Sequence, residues 1–241
     1  ARGGRGVGAL RLPQAFALSR VARADAYRAW AGAAAAPAAV PTAAPADAPP
    51  VTTCRAHARI GLVGNPSDGF FGKTISLSIA NFWAEVSVWP SARLRIVPHP
   101  LNDPTSFGSL ADLHGVVDKE GYAGGVRLLL AVCKKFHAMA AARGLSLPKR
   151  NFTMAYDTNV PRQVGLAGSS AILTAALKAL MAFYGLGDAQ MPKVSLPNFI
   201  LSVEKEELGI NAGLQDRVIQ VYEGAVHMDF DRAHMEAEGH G

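Results

Sequence analysis

With 241 residues, 49% of them hydrophobic, the chain is long enough for one large or two small domains with a substantial core. No apolar run approaches the ~20 residues that a bilayer-spanning helix requires, so no membrane partner is expected. The formal net charge of +5 invites a nucleic-acid partner, but residues 1–50 hold six arginines against two aspartates and leave the remainder nearly neutral, without a basic face to neutralise many phosphates.

Residues 1–50 form an Ala/Arg/Pro-rich leader, almost entirely Ala and Pro from Ala31 to Pro50, and such a segment buries too little surface to offset its ordering entropy. Disorder is expected there. The Arg-rich, acid-poor composition and a short amphipathic stretch over Ala15–Trp30 also fit an organelle transit peptide, with a translated linker as the equal alternative. Cys54 and Cys133 lack CxxC spacing, which predicts two free thiols in a reducing compartment. That compartment is the cytoplasm, or the chloroplast if the leader is a transit peptide. The seven histidines include no HExxH pair, so no histidine-held metal is expected.

From His57 the pattern becomes one of strands, at Arg59–Val63, Thr74–Ile79, Ala84–Val88 and Leu94–Val97, in a mainly antiparallel layer. Helical spacing runs over Gly124–Arg143 and stops at Gly144, and Phe152–Tyr156 reads as another strand. An Ala/Leu-rich helix over Ser170–Tyr184, apolar on nearly every face and stopped by Gly185, should be buried. Helices over Asn198–Leu208 and Ala212–Tyr222, a strand at Val226–Phe230 and a polar tail over 231–241 complete an α+β chain without internal repeats.

Between the Phe152–Tyr156 strand and the apolar helix lies Pro161-Arg162-Gln163-Val164-Gly165-Leu166-Ala167-Gly168-Ser169-Ser170-Ala171. Small residues let backbone close around an anion. Gly165 and Gly168 admit positive φ cheaply, and the N–H groups and macrodipole of the following helix favour negative charge. Of Ser169 and Ser170, one hydroxyl can face a phosphate oxygen or magnesium while the other caps the helix. The competing reading is a Gly/Ser turn that merely starts a core helix. Gly72-Lys73-Thr74 is no Walker loop, because GxxxxGK[ST] needs glycine where Ser67 stands. Arg59 lies in an otherwise apolar strand and needs a partner, since an unpaired buried charge is costly.

The Pro161–Ala171 string resembles the central ATP-binding motif of the GHMP kinases, and Ala58–Gly69 upstream and Glu204–Asp216 downstream follow in that family's order. The wording of Gly64–Thr74, Thr158–Gln163 and Ala212–Val218 is most similar to the plant and algal glucuronokinase branch, and the resemblance spans roughly residues 55–230. It implies a GHMP-kinase N-terminal, ATP-binding domain over 51–230. It further implies transfer of the γ-phosphoryl group of ATP, with Mg²⁺, to the anomeric hydroxyl of D-glucuronate, so that ATP and a small sugar acid are the partners. A galacturonokinase, an arabinokinase and a catalytically silent nucleotide-binding fragment stay open as alternatives. The family's ferredoxin-like C-terminal domain, with its third glycine-rich motif, is expected to be largely missing, because nothing after Phe230 resembles it.

Residue by residue, the resemblance implies Ser170 and Glu204 as magnesium ligands and Asp216 as the group that takes the sugar proton. Arg59 should lie beside Asp216 and help neutralise transferring phosphate. Asp68 corresponds to an aspartate that binds sugar hydroxyls. Asn65 and Pro66 stand where galactokinases carry a Glu-His pair facing the sugar, which argues against a galactose pocket. Lys73, Arg162 and Arg217 are the candidates for a sugar carboxylate, which needs a charge-assisted partner. The competing readings are a solvated charge run for Glu204 beside Glu206 and Glu207, a helix-dipole partner for Asp216, and a plain turn-former for Asp68.

Overall fold

A computed structural model describes residues 50–120 and 124–239; the expected leader lies outside the described residues. Strand β1 (Thr52–Val63) pairs antiparallel from end to end with β2 (Lys73–Ser91). The two strands expected over 74–88 are a single strand, because Ala80-Asn81-Phe82 offers neither Gly nor Pro to turn the chain. The extra residues are absorbed as a bulge, with His57 opposite Trp83 and Ala58 opposite Ile79. Bulges bend and twist a strand. Away from β1, the first half of β2 accordingly pairs with β5 (Ala225–Asp229) and the second half with β4 (Asn151–Thr158), both antiparallel. Strand β3 (Arg95–Val97) joins β4 in parallel, giving the order β1-β2-β4-β3 with β5 on β2.

The core lies between this sheet and two helices, α2 (Gly125–Ala142) and α3 (Gly168–Tyr184), which follow α1 (Leu110–Glu120). Ala56, Ala84, Val86, Val88 and Met154 of the sheet share one cluster with Leu129 and Val132 of α2 and Leu173, Leu177 and Leu180 of α3. Every residue of α3 from Ser170 to Leu177 is buried, the polar Ser170 and Thr174 included. Each such leucine contributes about 1.5–3 kcal/mol of transfer free energy. Gly185 ends α3 in the left-handed conformation at φ 70, returning its N–H to Met181 O and Ala182 O.

Helix α4 (Leu196–Ser202) widens into a π-helical turn over Val203–Glu207, and α5 (Gln215–Tyr222) packs on α3, α4 and the sheet. The tail expected to be merely polar forms α6 (Arg232–Glu238), whose N-terminus Asp231 caps by accepting from Ala233 N at 2.9 Å. Among the described residues, no helix is long and apolar enough to cross a membrane.

Candidate active site

The loop from Val160 to Gly168 enters α3 through three left-handed residues: Gln163 at φ 58, Gly165 at φ 74 and Ala167 at φ 59. Gly165 behaves as expected, but Gly168 does not carry positive φ. It is the first helical residue, and its missing side chain matters by proximity, since a Cβ there would stand 3.3 Å from Val160 Cγ1. The left-handed cap falls instead on Ala167, where an L side chain costs ~1–2 kcal/mol. Its carbonyl is held by three donors that offset this cost: Ala171 N (3.1 Å), Ser170 Oγ (3.1 Å) and Gln220 Nε2 (2.8 Å).

Residues Pro161 to Ser169 form one wall of a cavity of about 340 Å³. Asn102, Gly124, Gly125 and Tyr156 also line it. Tyr156 Oη donates to Asp103 Oδ2 at 2.7 Å and accepts from Gly125 N at 3.2 Å, which pins the start of α2. A Cβ on Gly125 would fall 2.1 Å from Tyr156 Cζ, so only glycine permits this approach. The first-turn N–H groups of a helix have no intrahelical acceptor, and the start of α3 lies on the cavity wall, an arrangement suited to phosphate.

Arg59 joins the loop to the chemistry. From β1 its backbone N–H reaches Leu166 O at 3.4 Å, its Nη1 donates to Gly165 O at 2.7 Å and its Nε to Asp216 Oδ1 at 2.5 Å. Arg59 has thus found a carboxylate on the first turn of α5, as Arg55 of the same strand has found Glu85. A second guanidinium, from Arg217, stands 3.3 Å from Asp216 Oδ2 and donates through Nε to Glu204 Oε2 at 2.5 Å and through Nη2 to the same oxygen. Four charges therefore alternate in sequence: Glu204, Arg217, Asp216, Arg59.

Glu204 is fully buried, which overturns the solvated-face reading. The π-helical turn rotates it inward, while Glu206 and Glu207 reach out to Lys135 and Lys134 of α2. Burial pushes the Glu204 carboxyl above its ordinary value, and the Arg217 guanidinium opposes that push. Its Oε1 receives Ser169 Oγ at 3.3 Å, whereas the Ser170 hydroxyl turns back to Ala167 O. Ser169, not Ser170, is brought to Glu204.

Asp68, in the 3₁₀ turn Ser67–Phe70, accepts from Gln215 N at 3.0 Å and so sits against the start of α5, beside Asp216. Asn65 packs near Gly61, where an added Cβ would meet Asn65 Cβ and Gln215 Nε2, each at 2.8 Å. Lys73 lies apart, exposed on β2 and paired with Asp229 of β5 at 2.7 Å. Of the three carboxylate candidates, Arg217 is buried on Glu204, Lys73 is paired on the sheet, and Arg162 lines the cavity. The sequence reading missed Gln215 and Gln220, buried polar side chains that brace Ser76 and the loop cap. Gln220 interrupts the apolar run Val218-Ile219-Val221, and that was its signal; Gln215, beside the charged Asp216 and Arg217, offered none.

Residues 127–224 match the GHMP kinases N terminal domain. The chain is 55% identical over 188 residues to glucuronokinase 1 of Arabidopsis thaliana and 53% identical to probable glucuronokinase 2 of the same plant, in each case covering 78% of this chain and 51% of the relative. It spans about half the length of these curated relatives. Among solved structures, Lactococcus lactis galactokinase complexed with galactose superposes with a TM-score of 0.58 at 18% identity, covering 76% of this chain and 45% of that one, a likeness of fold. By this domain match and its identity to both curated relatives, the chain belongs to the GHMP kinases.

Proposed function

We propose that this chain transfers the γ-phosphoryl group of ATP to the anomeric hydroxyl of D-glucuronate, releasing ADP, with Mg²⁺ as the accompanying cation. The observation that carries the reading is the Arg59 bridge: one guanidinium touches both Asp216 and the phosphate-loop carbonyl of Gly165, so proton acceptor and phosphate cradle are set relative to each other. Phosphoryl transfer is mostly positioning and charge stabilisation, which is what such a bridge supplies. The choice of sugar rests on the identity to the Arabidopsis glucuronokinases.

In this mechanism the cavity behind Pro161–Ser169 receives the nucleotide, with its phosphates at the start of α3. Asp216 orients the sugar hydroxyl and accepts its proton; a carboxylate has about four lone-pair sites, so contacts from Arg59 and Arg217 leave room for a further donor. Arg59 stabilises negative charge as the phosphoryl group moves. Asp68 and Asn65, next to the start of α5, bind sugar hydroxyls.

The residues present fit magnesium. Glu204 Oε1 is left out of the guanidinium fork, which takes Oε2, and it stands 3.3 Å from Ser169 Oγ. Two hard oxygens suit a cation that keeps its remaining positions for water and substrate phosphates. Ser169 and Glu204 would hold it, the Ser170 hydroxyl being turned back to Ala167 O, and when bound the ion would neutralise charge on the substrate phosphates. Calorimetry of glucuronate, galacturonate and arabinose in the presence of Mg²⁺ and a non-hydrolysable ATP analogue tests the substrate. Glucuronate is expected to bind tightest; equal or tighter binding of either other sugar would reassign it.

A further inference from the structure

Arg217 is the most heavily used side chain in the site, yet nothing in the phosphoryl-transfer reading requires it. Its side chain is 5% exposed, and its donors are distributed over three groups: Nε and Nη2 on Glu204 Oε2, Nη1 on Gly213 O at 2.9 Å, and the same Nη1 3.3 Å from Asp216 Oδ2. Stability alone is a poor reason for this arrangement, because a buried ion pair commonly does no better than apolar residues of the same volume. Its geometry has a more specific consequence. By occupying Oε2 with two donors the fork fixes the rotation of the Glu204 carboxylate and leaves Oε1 facing Ser169. By holding Gly213 O it fixes the turn that delivers Asp216.

We propose that Arg217 is a positioning residue that sets the Glu204 carboxylate and the Asp216 carboxylate in register from a single guanidinium, and so couples the cation side of the site to the acceptor side. The inference rests on the phosphoryl-transfer reading above. Lysine cannot substitute: a single ammonium on a flexible stem keeps the charge but not the planar fork that reaches three groups at fixed angles. Without the fork, Glu204 and Asp216 lose their shared partner and their mutual repulsion is unscreened.

The test uses the 241-residue chain with Arg217→Lys and Arg217→Gln, each checked for a cooperative thermal melt. Arg217→Lys is expected to lower kcat by ~10–100-fold while the KM for glucuronate stays within about threefold, the pattern of an interaction made in the transition state. Titration of Mg²⁺ against a non-hydrolysable ATP analogue, followed by calorimetry, should need about tenfold more cation for half-saturation, since ligand-orienting partners are worth roughly 10–100-fold in metal affinity. In an Asp216→Asn background the kcat penalty of Arg217→Lys should shrink to about threefold or less, because groups acting as one unit are not additive. An unchanged kcat and Mg²⁺ requirement in folded Arg217→Lys, or a fully additive penalty in the double variant, would overturn the inference and leave the phosphoryl-transfer reading standing. Loss of the cooperative melt in both single variants would assign Arg217 to stability alone and overturn it as well. A wild-type chain without glucuronate-dependent ADP release would remove the parent reading and the inference together.

Discussion

Asp216 is held from both sides by guanidiniums, Arg59 at 2.5 Å and Arg217 at 3.3 Å, on the first turn of a short helix. If it orients the sugar hydroxyl and takes its proton, Asp216→Asn keeps the shape and removes the basicity. A kcat lowered ~10²-fold or more, with ATP affinity nearly intact, is expected from ADP-release kinetics and calorimetry; near-normal turnover would take Asp216 out of the mechanism. A second residue-scale expectation concerns Cys133, whose thiol burial pushes from 9.0 up to about 12. A group raised in this way favours the folded state fully below pH 9.0 and loses that contribution as pH rises through about 12. Because only the thiolate reacts, iodoacetamide at pH 9 should modify native Cys133 ~10²-fold or more slowly than in the urea-unfolded chain, read by mass spectrometry. Equal rates would contradict its burial. At this scale Arg59 was legible, because a cation in an apolar strand demands a partner. Glu204 was legible only through the family resemblance: its neighbours Glu206 and Glu207 make a solvated run in the sequence, and the π-helical turn separates the inward carboxylate from the outward two.

The elements were legible where periodicity was strong. Helices α2 and α3 and strand β4 fall within a few residues of their expected bounds, because apolar spacing and terminal glycines mark them. Helix α1 escaped notice although Leu110, Leu113 and Val117 recur at helical spacing; it buries little, Leu110 being 82% exposed. Its signal was the pairing of Ser109 with Asp112, whose N–H reaches Ser109 Oγ at 3.1 Å while the hydroxyl returns to Asp112 Oδ2 at 2.7 Å. The continuity of β2 was likewise hidden, because a bulge over Ala80–Phe82 breaks the alternation without breaking the strand. The loop-to-α3 junction is the element on which the proposed nucleotide binding rests. Gly168→Val places branched carbon against Val160 and into the approach of phosphate, so ATP-analogue affinity should fall by at least ~2 kcal/mol beyond any loss of stability. Unchanged affinity in a folded variant would reduce the loop to a helix-starting turn.

In the molecule as a whole, three distant stretches of sequence are brought to one place by the sheet. Strand β1 supplies Arg59, the connection beyond it supplies Asn65 and Asp68, and α5 carries Asp216 and Arg217 back against both, with α3 and its loop alongside. The chain spans about half the length of the Arabidopsis glucuronokinases it resembles. The central claim is that these groups act together on one sugar acid. The direct measurement is coupled ADP release by the 241-residue chain with Mg²⁺ and ATP, with and without D-glucuronate, and with phosphorus NMR of the product. The account predicts ADP formation that depends on glucuronate, falls ~10²-fold or more in Asp216→Asn, and yields phosphate on the anomeric oxygen. ADP release indifferent to glucuronate, or phosphate on any other hydroxyl, would contradict it.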